Sequence, residues 1–156
     1  MPDNYHRLIQ LAEEVFAFRN DPEQLNVNEE VIERLHRIHP STLMEQRDKD
    51  GPVAWVLIIP TTIELMNRFL EKRISERQLF NFTNENVVYE AIYLCSALVL
   101  EEYQRKGITT DLLLKAIANI RESHPIRALF VWPFTKPGEA AADKIAGLTH
   151  LPLYKR

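Results

Sequence analysis

The chain has 156 residues, 46% of them hydrophobic and 26% charged, with a formal net charge of −3. That length fits one domain, residues 1–156, with enough chain to bury a core, and the mild negative charge offers no electrostatic basis for binding nucleic acid or an anionic membrane. A single cysteine, Cys95, excludes an intrachain disulfide; with a polar N-terminus, Met1-Pro2-Asp3-Asn4, and no apolar run long enough to span a bilayer, it points to a cytoplasmic setting.

Residues 4–19 read as a helix: Asp3 or Asn4 caps it, and Leu8, Leu11, Ala12, Val15 and Phe16 recur at helical spacing. Asn20-Asp21-Pro22 stops it, and Gln24 to Val27 reads as a loop. A second helix spans 28–38, with Val31, Ile32, Leu35 and Ile38 inward. Glu33, His36 and His39 lie close together there, but no further cluster with ligand spacing follows, so they read as surface positions and not as metal ligands. His39-Pro40-Ser41 breaks this helix. Two strand candidates, 42–47 and 53–59, flank the turn signal Asp48-Lys49-Asp50-Gly51 and predict a hairpin. Trp55 reads as core, which obliges its indole N–H to find a partner. Pro60 ends the strand. Thr61 or Thr62 then caps a helix over 63–72 with Ile63, Leu65, Met66, Phe69 and Leu70 on its apolar face, and Ser75-Glu76-Arg77-Gln78 has the form of a capping box before Leu79 and Phe80. The 61–80 stretch reads as a lid or interface, or equally as an extra packing layer.

Asn84-Glu85-Asn86 is a turn, and 87–100 reads as a long central strand whose length predicts a bulge or bend. Strict alternation puts Tyr89, Ala91, Tyr93, Cys95, Ala97 and Val99 on one face; a bulge exchanges the faces beyond it. Both faces are apolar, so helices should cover both. Beyond a charged turn comes a helix over 110–122, with Leu112, Leu113, Ala116, Ile117 and Ile120 buried. Ser123-His124-Pro125 ends it, with His124 favourable to the helix dipole. Residues 126–131 read as a buried strand, and the right-handed crossover makes it parallel to the central one. Trp132-Pro133-Phe134 closes it at the carboxyl end of the sheet, where open α/β sheets bind ligands. Lys136-Pro137-Gly138 leads into a last helix over 139–145, stopped by Gly147, and Leu151-Pro152-Leu153-Tyr154 carries a short strand candidate.

The charged turn is the informative stretch. Ala97-Leu98-Val99-Leu100-Glu101-Glu102-Tyr103-Gln104-Arg105-Lys106-Gly107-Ile108-Thr109 passes from apolar strand through basic residues and one of only four glycines into a helix. Unpaired N–H groups and the dipole of a helix start favour an anion. Gly107 permits positive φ or close backbone approach, and Arg105 and Lys106 add charge.

Gln104-Arg105-Lys106-Gly107-Ile108-Thr109 resembles the Q/R-x-x-G-x-G/A segment of the GNAT superfamily, the acyl-CoA-dependent N-acyltransferases. The preceding apolar strand, Val99, two acidic residues and Tyr103 are similar too. Thr109 stands where that family usually has Gly or Ala; it keeps its N–H and adds a hydroxyl within reach of a phosphate, at a cost in bulk. The resemblance extends over about 87–148 and is specific over 97–109. It implies an α/β (α+β) fold: a GNAT-like central mixed β-sheet covered by helices on both faces, here with an extra N-terminal helical pair and a shortened C-terminal β region. It implies transfer of an acyl group, most often acetyl, from acetyl-CoA (coenzyme A) as co-substrate to the amine of a small molecule or peptide, without a metal, and it allows a homodimer.

The same resemblance implies site residues. Backbone N–H groups across Gln104, Arg105, Lys106, Gly107, Ile108 and Thr109 would hold pyrophosphate. The backbone of Ala97, Leu98 and Val99 would pair with pantetheine and polarise the thioester oxygen, across a gap between the central strand and the 126–131 strand. Trp132 and Pro133 read as a wedge in that gap or as plain core. Many family members carry an acidic Tyr on the last helix; Ala141 to Leu148 has none, and Tyr154 is the substitute. Glu90 is the first candidate base, with Glu101 and Glu102 behind it, and each reads also as a solvated carboxylate. Cys95 reads as a small hydrophobe, not a nucleophile. The alternative functions are a non-catalytic CoA or acyl-CoA binding module and a structural protein on the same scaffold, with 61–80 as its interface.

Overall fold

The computed structural model of the chain describes residues 3–19, 22–25 and 27–156, with backbone alone over 15–19. Of the positions named above, Met1, Pro2, Asn20, Asp21 and Asn26 lie outside the described residues, as do the side chains of Val15 and Phe16.

The chain opens with two helices, α1 (Asn4–Arg19) and α2 (Glu29–Ile38). Asn28 caps α2 by accepting the Val31 N–H at 3.0 Å, and Glu29 and Glu30 complement the dipole. The hairpin follows as β1 (Leu43–Asp48) and β2 (Gly51–Thr61). Pro60 does not end β2; it lies inside the strand opposite Ile92. The ladder explains why it is tolerated. Ile58 donates to Thr42, at the very start of β1, so the N–H that Pro60 lacks would point past the end of β1, where no acceptor waits. Trp55 is half-buried and its indole N–H reaches Glu45 Oε2 at 3.2 Å.

Between β2 and the central strand stand α3 (Ile63–Leu70), capped by Thr62, and α4 (Glu76–Phe82), opened by a reciprocal capping box between Ser75 and Gln78. The central strand β3 (Ala91–Val99) is shorter than expected. Tyr89 is held elsewhere: its N–H donates to His124 Nδ1 at 3.2 Å and its hydroxyl to the Asn84 carbonyl at 2.6 Å. A 3-10 turn (Glu101–Tyr103), α5 (Ile108–Arg121), β4 (Ala128–Val131), α6 (Lys136–Thr149) and β5 (Leu153–Lys155) complete the chain. Gly147 does not stop α6. The left-handed residue at its end is His150, φ 58°, and a glycine inside a helix costs only about 1 kcal/mol.

The sheet order is β1-β2-β3-β4-β5, antiparallel through β3 and parallel from β3 to β5. Alternation assigns its faces. Phe69 of α3 meets Tyr93 and Phe130 edge-on at 5.0 and 5.8 Å, and Tyr5 of α1 meets Trp55 at 6.2 Å. Tyr93 and Trp55 share a face through the register, so α1 and α3 do as well. On β5, Lys155 turns to Asp143 and Glu139 of α6 while its neighbour Arg156 turns to Phe69, so α6 covers the opposite face. There α5, bonded to the end of α6 through Arg121, buries Leu112, Leu113, Ala116, Ile117 and Ile120. Ile58, Ile92, Leu129 and Phe130 have no exposed surface, and each such chain contributes roughly 1.5–3 kcal/mol of burial. Among the described residues no helix is long and apolar enough to cross a membrane.

Candidate functional site

β3 is paired unevenly. Its ladder with β2 slips between Leu57 and Ile58, so Cys95 has no opposite residue and forms a bulge. Its ladder with β4 runs only from Ala91↔Ala128 to Leu94↔Val131. Beyond Val131 the chain turns away through Trp132-Pro133-Phe134. Residues 95–99 therefore keep β2 on one edge and have no strand on the other. Leu100 donates to the Val53 carbonyl at 2.9 Å. By the alternation of an antiparallel ladder, Leu98 and Ser96 also spend their backbone groups on β2, and those of Ala97 and Val99 face the open edge.

The turn beyond β3 is set by two left-handed residues, Arg105 (φ 63°) and Gly107 (φ 75°). A non-glycine residue in that region costs about 1–2 kcal/mol, and such conformers turn successive N–H groups toward one point. Tyr103 and Gln104 donate to Leu100 and Glu101, and Asp111 makes the first bond of α5 to Gly107. Among the described residues nothing accepts from the N–H groups of Arg105, Lys106, Gly107, Ile108, Thr109 or Thr110, and Gly107 caps α5 without any side-chain bond. A Cβ added at Gly107 would meet no atom within 4 Å, so what favours glycine there is its positive φ and not crowding by the chain. A hollow of about 230 Å³ lies over these groups, lined by Val99, Tyr103, Arg105, Gly107 to Thr110, and Lys144 of α6.

The turn is latched from behind. The Tyr103 hydroxyl donates to Asp48 Oδ2 at 2.5 Å, and Asp48 Oδ1 accepts from Asn4 and from the Asp50 N–H at 2.9 and 2.7 Å. These bonds, Tyr103's first, hold the Asp48 carboxyl below its ordinary range, and Asp48 in turn raises the Tyr103 hydroxyl. Arg7 grips both Glu102 oxygens at 2.7 and 2.8 Å and holds that carboxyl low as well. The Lys106 ammonium lies 5.3 Å from the centre of the Tyr103 ring. On the α1 face a second hollow of about 390 Å³ runs between α1 and the end of β3, lined by Arg7, Glu14 and Glu101 among others, and Val99 borders both hollows.

No protein-family model and no curated protein matches the sequence. Among solved structures, a chain of the NatB acetyltransferase complex bound to CoA and MES superposes with a TM-score of 0.53, covering 81% of this chain and 70% of that chain at 13% sequence identity. The chain has a GNAT-like fold. The mixed sheet with helices on both faces, the N-terminal helical pair and the short terminal strand are those expected of it.

Within this GNAT-like fold the residues expected at the turn lie together: Arg105, Gly107, Ile108 and Thr109 line the hollow, with Lys106 beside them and Gln104 on the α1 side. Ala97 and Val99 edge the gap, whereas the Leu98 backbone belongs to the β2 ladder. Glu90 is not brought to the turn. It precedes the first residue of β3, is paired with Arg127 at 3.1 Å, and stands five strand residues, about 17 Å, from the bulge. The open edge begins only at Cys95. Tyr154 lies on β5 opposite Phe130, half-exposed, two strands or about 10 Å from β3. Trp132 is half-buried against Phe69 and Phe134. His39 and His124 lie ring to ring at 6.0 Å, and among the described residues no group of three or more His, Cys, Asp or Glu is arranged for a metal.

Sequence reasoning missed Lys144, which only packing brings to the turn. It also missed Glu76, a carboxylate 1% exposed that accepts from Tyr93 OH and the Leu25 N–H, each at 2.5 Å. That signal was present: Glu76 stands three and four residues before Leu79 and Phe80, on the same helical face.

Proposed function

We propose that this chain transfers an acyl group, most simply acetyl, from coenzyme A to an amine. The observation that supports it best is the set of N–H groups from Arg105 to Thr110, without protein acceptors, over a hollow beside an open strand edge. Coenzyme A would supply the acyl group as an activated thioester. The chain's part is to hold and orient it. The N–H groups of 105–110, with the charges of Arg105, Lys106 and Lys144, take the diphosphate. Ala97 and Val99 would offer N–H and C=O groups to the pantetheine amides as an added strand would, and an N–H near the Cys95 bulge would polarise the thioester oxygen, where one such donor typically contributes about 3 kcal/mol to the transition state. The acceptor amine would come from the α1 face, so donor and acceptor meet through the gap.

Calorimetry with coenzyme A tests the binding step. Gly107→Asn, which tolerates a left-handed turn, should retain affinity, and Gly107→Trp should abolish it; unchanged affinity in the Trp variant sinks the reading. Turnover of acetyl-CoA against an amine panel then separates catalysis from the second reading, a non-catalytic CoA-binding module. That reading is favoured by the distance of both Glu90 and Tyr154 from the open edge.

A further inference from the structure

Arg156 is the anomaly of the acceptor side. Its backbone N–H donates to the Val131 carbonyl at 3.0 Å, which fixes it at the root of the split, where β4 leaves β3. Its side chain turns to the α1 and α3 face and is only 3% exposed. The guanidinium stacks over Phe69 and Trp132, 4.5 and 4.6 Å from the ring centres, and Nη2 donates to Glu23 Oε1 at 2.9 Å. Nη1 is buried and has no partner, and among the described residues it is the only buried side-chain nitrogen or oxygen so left.

Stacking and the Glu23 pair account for the plane and the charge of this group. They do not account for Nη1, a charged donor withdrawn from water with nothing to accept its hydrogens, an arrangement that is costly unless a partner arrives. The position says which partner. The donor hollow lies on the α5 face and Arg156 on the other, so a coenzyme is not what Nη1 meets. Its backbone stands beyond β4, two strands or about 10 Å from β3, and its side chain reaches back over Trp132 and Phe69, a reach suited to an oxygen a few bonds from the reacting nitrogen.

We infer that Arg156 Nη1 binds a carbonyl or carboxylate oxygen carried by the acceptor beside its amine, and so selects amino acids or peptide N-termini over plain alkylamines. This rests on the acyltransferase reading. The test is NMR titration of the protein saturated with coenzyme A, using product-like probes: N-acetylglycine for the free amino acid, N-acetylglycine methylamide for the peptide, and N-propylacetamide, which lacks the extra oxygen. Wild type should bind one of the first two at least tenfold more tightly than the third, and whichever it prefers names the source. Arg156→Gln should erase that preference with coenzyme A affinity kept. Arg156→Lys, which keeps charge but not the fork, should restore part of it. Equal affinities in wild type, or a preference that survives in Arg156→Gln, overturn this assignment alone. A wild-type chain that does not bind coenzyme A overturns the acyltransferase reading itself and this one with it.

Discussion

Between residues 91 and 94, β3 is held by β2 on one edge and β4 on the other, and Ala91, Ile92 and Tyr93 have no exposed surface. Between 95 and 99 the same strand keeps β2 alone, Ala97 is exposed, and the backbone groups of Ala97 and Val99 face a gap. The border is not one of hydrophobicity, since Leu98 and Val99 are as apolar as Ile92 and Leu94. It falls where β4 stops, at Val131. A strand thus carries stability where it has two neighbours and unspent backbone groups where it has one, and the Cys95 bulge separates the two.

The largest break should come from the closed half. Phe130→Ala removes a fully buried ring packed on Tyr93 and Phe69 and should cost about 3–5 kcal/mol in a urea titration; a loss near zero would mean that this half is not core. A sharper comparison sets two adjacent prolines against each other. Leu98→Pro removes an N–H from the β2 ladder and should destabilise by about 1–3 kcal/mol. Ala97→Pro removes one that points into the gap, so it should cost less stability and instead weaken coenzyme A binding by calorimetry. Equal destabilisation by both would show that the edge is not open.

Smaller again is Arg105→Gly. It relieves a left-handed non-glycine residue, worth about 1–2 kcal/mol, against an entropy cost of about 0.5–1 kcal/mol for the added glycine. Stability should hold or rise slightly while affinity for coenzyme A falls several-fold with the lost charge. A parallel fall in both would make Arg105 a structural residue.

The smallest effect belongs to the closed end. Burial, and then the neighbouring His124, hold His39 below its ordinary 6.5. The folded chain therefore keeps His39 neutral where the unfolded chain takes up a proton. Its stabilising contribution is complete above 6.5 and is lost as the pH falls from there through the depressed folded value. The thermal midpoint should drop between about pH 7.5 and pH 5.5. His39→Asn, which keeps an acceptor for the Ser41 N–H, should remove part of that slope. An unaltered slope would assign it to other groups.

Much of this arrangement was legible in residue order. The stripe over Leu112, Leu113, Ala116, Ile117 and Ile120, the caps at Thr62 and Ser75, and the turn at Asp48 to Gly51 are local, and local spacing specifies them. The basic glycine turn was legible for the same reason, because the left-handed φ and the free N–H groups arise within a few residues of Gly107. Less was legible where an answer depended on a neighbour distant in sequence. Pro60 looked like an end because its missing N–H is a defect only if β1 reaches that far, and Glu90 looked usable because nothing in the run from 87 to 100 says where the second neighbour leaves.

The sequence by itself determined that a parallel strand–helix–strand unit carries a basic, glycine-containing turn at its carboxyl end, since periodicity, caps and left-handed positions act over short range. Only the tertiary structure decided that β4 abandons β3 at Leu94, that Lys144 joins the turn, and that Arg156 and Glu76 are buried on the far side. Those outcomes depend on strand length, register and face, quantities that exist only once separate segments pair and pack.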